Sequence, residues 1–185
     1  MSYPCERPPE GAAAHFALQL SRQLPTLTTE RLLLRAPRVT DFDVYAAIAC
    51  SARGQHLGGP MDRETAWLDF AQMTSTWLLQ GHGLWTIGHA GEVAGFVVLG
   101  FEPGDAEPEL GFMLRAPHEG QGVACEAACA ARSHAFNTLG WRTLVSYIAP
   151  ENTRAAALAR RLGAHRDGRL DGSDVWRHTA SRGSV

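Results

Sequence analysis

Between Glu109 and Leu139 the chain changes character twice, and that succession restricts the folds open to it. Glu109–Leu114 (ELGFML) is an apolar, mostly extended run, and Ala116-Pro117 breaks it. Gly120-Gln121-Gly122 then opens an alanine-rich helical segment that continues to about Leu139. Strand, glycine turn and helix start in that order let the backbone approach a ligand closely, because glycine carries no Cβ. The first amides of the helix have no intrahelical acceptor. Those amides and the positive end of the helix dipole favour phosphate oxygens. The stretch points to a ligand that carries phosphate.

The remaining elements follow from apolar period and turn residues. Residues 1 to about 26 read as an extension, broken by Pro4, Pro8, Pro9 and Gly11, with a short helix over Ala12–Leu24. Arg31–Arg35 (RLLLR) is a first strand ended by Pro37, and Asp41 is placed to cap a helix over Phe42–Cys50. After Gly58-Gly59-Pro60, Asp62 or its neighbour caps a longer helix from Glu64 to about Leu79. Trp67, Phe70, Ala71, Thr74, Trp77 and Leu78 form its apolar stripe. Leu84–His89 and Val93–Phe101 read as a hairpin around Ala90-Gly91-Glu92. Thr143–Ile148 is another strand, Thr153–Leu162 a short helix closed by Gly163, and Asp174–His178 a last strand. Consecutive antiparallel strands before a crossover helix make an α/β (α+β) mixture, not the regular alternation of a doubly wound sheet.

Composition narrows the partners. With 17 basic and 19 acidic side chains and no basic run, neither nucleic acid nor an anionic membrane has support as a partner. No apolar run reaches the length of a membrane span. Cys5, Cys50, Cys125 and Cys129 do not form a disulfide framework. They read as small buried thiols in a reducing, cytoplasmic compartment, and no metal site is expected. Two nucleotide motifs fit poorly. Gly120-x-Gly122-x-x-Cys125 lacks the third glycine of a dinucleotide fingerprint, and Gly-Lys-Ser/Thr of a phosphate loop is absent.

The order of elements together with the 109–128 motif resembles the GNAT superfamily of N-acetyltransferases, in its RimJ/RimL-like branch. The family's Q/R-x-x-G-x-G/A loop falls on Glu119-Gly120-Gln121-Gly122-Val123-Ala124, with Glu119 in place of the usual Arg or Gln. TTERLLLR at 28–35, ELGFML at 109–114, GQGVACEA at 120–127 and PENTRAAALARRLGA at 150–164 add to it, as does GGP at 58–60. The resemblance implies a mixed, mostly antiparallel sheet with a splayed central strand pair flanked by helices. It implies one domain over residues 27–180 that transfers acetyl from acetyl-CoA to an amine. The acceptor would be a protein N-terminus or a small amine, without metal, and a homodimer is compatible with it.

Carried over residue by residue, the resemblance has Phe112, Met113 and Leu114 line the pantetheine arm through main-chain groups. Amides around Gln121, Gly122, Val123, Ala124 and Cys125 would hold the diphosphate, with Gly120 and Gly122 leaving room for it. Asn152 would touch pantetheine or nearby water, and is equally suited to cap the helix that follows. An amine nucleophile must lose a proton, and Glu109 is the candidate base, sharing a strand face with Gly111 and Met113; an ordinary strand-end glutamate is the alternative. Glu126 reads as a complement to the helix dipole. The tyrosine and serine that relatives carry are Ala159 and Ala155 here. The acid for the departing thiol is therefore Tyr147, Ser146, water or none. The acceptor pocket is expected from the 41–79 helices and the His56–Met61 loop, which are not strongly acidic, and this speaks against a polycationic acceptor. A binding module that holds acyl-CoA without turnover is the competing function.

Overall fold

Apolar runs bounded by glycine and proline turns become strands, and runs with a three-and-four repeat become helices. A computed structural model of the chain describes residues 3–180. In chain order its elements are α1 (Gly11–Ser21), β1 (Leu27–Thr28), β2 (Leu32–Arg35), α2 (Phe42–Ala49), α3 (Arg63–Gln80), β3 (Leu84–His89) and β4 (Glu92–Gly100). They continue with β5 (Glu109–Leu114), α4 (Val123–Asn137), β6 (Thr143–Ile148), α5 (Thr153–Arg161), β7 (His165–Leu170) and β8 (Ser173–Thr179). The strands form one sheet in the order β1-β2-β3-β4-β5-β6-β8-β7, antiparallel throughout except between β5 and β6.

Alternation along the strands sends side chains into two separate layers. Trp85, Ile87, Ala94, Val97, Leu99, Leu110 and Leu114 meet Val123, Ala127 and Ala131 of α4 on one face. Leu84 and Phe96 meet α2 and α3 on the other, in a cluster of Phe42, Tyr45 and Phe70. Edge-to-face ring contacts bind that cluster, with Tyr45 and Phe96 centroids 5.2 Å apart. Alanines on α4 let the helix lie close to the sheet, which sets its first turn against the end of β5.

Some elements differ from the expectation. Asp41 does not cap α2. Its buried carboxylate instead takes both guanidinium nitrogens of Arg35 at 2.8 Å, the Arg38 amide and the Thr86 hydroxyl, because it sits in a short 3-10 turn ahead of the helix. Asp62 does cap α3, accepting from the Thr65 amide at 2.7 Å. The buried stripe of α3 runs through Ala66, Phe70 and Trp77, whereas Leu78 is 72% exposed. The final strand has a partner that periodicity missed: β7 (HRDGRL) is almost wholly exposed, so no apolar pattern marks it. The cysteines are free, but none is fully buried; Cys5 and Cys129 are exposed.

Candidate active site

The parallel pair at the centre of the sheet is joined at one end only. Among the described residues β5 and β6 share a single paired position, Glu109 with Val145, reinforced by the Val145 amide donating to Pro108 O at 2.9 Å. Beyond that point side chains take the place of the ladder. The Ser146 hydroxyl donates to Leu110 O at 2.7 Å, and the Tyr147 amide donates to Glu109 Oε1 at 3.3 Å. The two strands then part, and the backbone of Gly111–Leu114 faces a gap.

Ser146 is buried, and its oxygen also lies 3.3 Å from Nε2 of His178, itself fully buried. A carbonyl can only accept, so Ser146 donates to Leu110 and His178 must donate from Nε2. That leaves Nδ1 as a buried acceptor without a partner. Burial pulls the His178 pKa down to about 4, helped by the charge of Arg132 and the proximity of His165. The histidine is neutral at ordinary pH and completes a strut at the fork. No apolar or spacing signal in the sequence marks this pair.

At the wide end of the fork stands the glycine turn. Gly120 and Gly122 have φ of +71° and +80°, a region that side chains with a Cβ enter only under strain. The first bond inside α4 runs from the Glu126 amide to Gly122 O at 3.0 Å. The amides of Val123, Ala124 and Cys125 therefore have no helical acceptor. Gln121 closes the turn with Nε2 donating to Pro117 O. Glu126 does not face a ligand: it accepts from the Thr29 hydroxyl, the Arg31 amide and Arg31 Nε at 2.8 Å, pinning α4 to the start of β2. Arg31 also donates to Gln121 O. Glu119 sits between Arg53 and Arg154, the latter at 2.6 Å. Three guanidinium groups and the two carboxylates they pair with thus surround the turn, with one positive charge in excess beside the unpaired amides. Burial and neighbouring Cys129 push the Cys125 thiol up, so it is no poised nucleophile. Asn152 caps α5, accepting from the Ala155 amide at 3.1 Å.

On the α2–α3 side the fork opens into a cleft of about 350 Å³. Met73, Leu84, Phe96 and Val98 form its apolar floor, and Glu109, Gly111, Phe112 and Met113 its β5 wall. Burial, together with the charges of Glu102 and Asp105, pushes Glu109 up to about 8. Burial raises Asp69, against the bond it receives from the Tyr45 hydroxyl. Burial and the charges of Asp69 and Asp105 raise Glu102 as well. The helices and the His56–Gly58 loop contribute to the lining as expected, yet the cleft is strongly acidic. Its carboxylates come mostly from the turn after β4, from β5 and from Asp171 in the β7–β8 turn, segments outside the expected pocket. As for a proton donor, Ser146 is committed to Leu110 O, and the Tyr147 hydroxyl lies beside the amides of Glu107 and Ala106.

Against known proteins, residues 31–165 match the family model described as an acetyltransferase (GNAT) domain. The solved structure of an acetyltransferase from Agrobacterium tumefaciens is 40% identical, with a TM-score of 0.81 over 85% of this chain and 95% of that one. A GNAT-family acetyltransferase from Bacillus anthracis is 18% identical, with a TM-score of 0.68 over 83% of this chain and 96% of its own. RimJ from Mycobacterium smegmatis, solved with CoA-disulfide, is 19% identical, with a TM-score of 0.69 over 87% and 90% of the two chains. The last two share the fold. No helix among the described residues is long and apolar enough to cross a membrane.

Proposed function

This chain belongs to the GNAT acetyltransferase family, and on that premise we propose that it transfers acetyl from acetyl-CoA to the nitrogen of an amine by direct attack. The observation that carries the reading is the fork: β5 and β6 meet at Glu109 and Val145 and part beyond it, and the helix-start amides at the wide end have no helical acceptor. A diphosphate fits the Gln121–Cys125 amides, beside Arg31, Arg53 and Arg154, whose three positive charges exceed the two carboxylates they pair with, Glu119 and Glu126. The pantetheine arm lies in the gap and pairs with the free backbone edge at Phe112–Leu114. That route brings the thioester towards the closed end, beside Glu109.

Glu109 suits the role of base. Its carboxyl, titrating at about 8, is matched to an amine whose own pKa is about 8 to 10. The carboxylate takes the ammonium proton directly or through water, the amine nitrogen bonds to the carbonyl carbon, and the carbon–sulfur bond breaks. An N–H on the open edge of β5 steadies the oxyanion. The thiolate leaves towards solvent and takes a proton from water or from the Tyr147 hydroxyl, which lines the cleft, while the nitrogen gives up its second proton to solvent; Ser146 is committed to Leu110 O. The acceptor is a protein N-terminus or a small amine, and the four free thiols support a cytoplasmic setting.

A second reading has one feature in its favour. Ala159 and Ala155 stand where relatives carry hydroxyls, which suits a module that binds acyl-CoA without turning it over. Thermal melting with acetyl-CoA, followed by thiol release with a panel of amines, separates the two. Stabilisation with turnover supports the transferase, stabilisation without turnover the module, and indifference to acetyl-CoA defeats both.

A further inference from the structure

The charge of the acceptor cleft is lopsided. Asp69, Glu102, Asp105, Glu109 and Asp171 all line it, and among the described residues neither Lys nor Arg does; His56 is the one basic side chain among the described residues in its wall. Elsewhere the protein pairs its acids with arginine: Glu6 with Arg63, Asp41 with Arg35, Glu107 with Arg177, Glu119 with Arg154 and Glu126 with Arg31. In the cleft the carboxylates face one another, and repulsion between them helps raise Glu102 and Glu109. The cleft is defined by the parted strands and its apolar floor. The acids decide what it will take.

Those acids divide into two groups. Glu109 stands at the fork, where the reacting nitrogen must be. Asp105, on the turn after β4, and Asp171, at the tip of the β7–β8 turn with φ +45°, line the same cleft from two turns outside that strand. Met73, Val98, Phe112 and Met113 line the same cleft and offer contact to methylenes and nothing to a second carboxylate or a phosphate. Resting on the acetyltransferase reading, we propose that the acceptor is a small aliphatic amine with at least one further cationic group, a diamine or polyamine. One nitrogen reacts beside Glu109 while the distal ammonium is held by Asp105, Asp171 and Glu102. A free amino acid or a phosphorylated amine brings an anion into a cleft that, among the described residues, has no Lys or Arg to meet it.

The test uses the full chain. Acetyl-CoA binding is measured first by thermal shift, which checks the transferase reading alone. Thiol release is then followed with 1,4-diaminobutane, spermidine, butylamine, glycine and a neutral peptide with a free N-terminal serine. The diamine or triamine should exceed butylamine in kcat/KM by about tenfold or more, the size of one hydrogen bond to a charged group. The advantage should shrink as salt is raised. In Asp105→Asn/Asp171→Asn the preference for diamine over butylamine should fall towards one, mainly through KM. Acetyl-CoA binding with butylamine, glycine or the peptide preferred overturns the proposal and leaves the transferase standing. So does a preference untouched by the double substitution, whereas binding without turnover of any amine overturns both this proposal and the transferase reading in favour of the binding module. Failure to bind acetyl-CoA overturns both.

Discussion

Replacing Glu109 by Gln tests the buried-base argument without relying on any acceptor. The folded carboxyl titrates at about 8 where the ordinary value is 4.5. A raised carboxyl pKa means that folding takes up a proton between those two values. The contribution to stability is full below about 4.5, falls as pH rises, and is gone above about 8. At ~1.36 kcal/mol per pH unit the whole span amounts to roughly 5 kcal/mol. Gln has the shape of the neutral acid and does not titrate. Its stability relative to the parent should therefore climb between pH 5 and pH 9 by an amount of that order. For a chain of this size, that is a relative gain in melting temperature of about 10 °C or more. Glu102 and Asp69, also raised by burial, are common to both proteins and largely cancel in the difference. The assay is a pair of thermal or urea denaturation series from pH 5 to pH 9. The same variant should lose about 10²- to 10⁴-fold in kcat, the usual worth of a positioned general base. Parallel stability curves would mean that Glu109 ionises normally in the folded protein, and the reasoning about its environment would be wrong.

Three further outcomes are expected. Ser146→Ala strips a partner from Leu110 O and from His178 at once; a loss of about 2 kcal/mol is expected, read as a fall of roughly 4–8 °C in melting temperature, with a higher KM for acetyl-CoA if the strut sets the gap. Gly122→Val forces a branched side chain to φ +80° beside Arg31, and should weaken acetyl-CoA binding about tenfold or more while far-UV circular dichroism stays the same. His178→Gln keeps a donor and removes the titration. His178 has a depressed folded pKa, so its contribution holds above about 6.5 and is lost as pH falls through about 4. The variant should accordingly lose less stability than the parent between pH 7 and pH 4.5.

Local rules carried much of this protein. The glycine turn, the two-residue hairpin at Ala90-Gly91 and the caps at Asp62 and Asn152 depend on the residues at hand, so their positions could be read directly. The apolar run of β5 and the alanine face of α4 likewise set which side of each meets the other. Short-range chemistry cannot say which distant side chains will share a space. Asp41 looks like a cap until Arg35 and Thr86 arrive from neighbouring strands. Ser146 looks like a proton donor until Leu110 takes its hydrogen, and β7 carries no apolar mark because only pairing with β8 holds it. The acidity of the cleft is the clearest case. Asp69, Glu102, Glu109 and Asp171 are scattered over a hundred residues, and the burial that raises Glu109, with the nearby charges of Glu102 and Asp105 adding to it, exists only once the sheet and its turns bring them together.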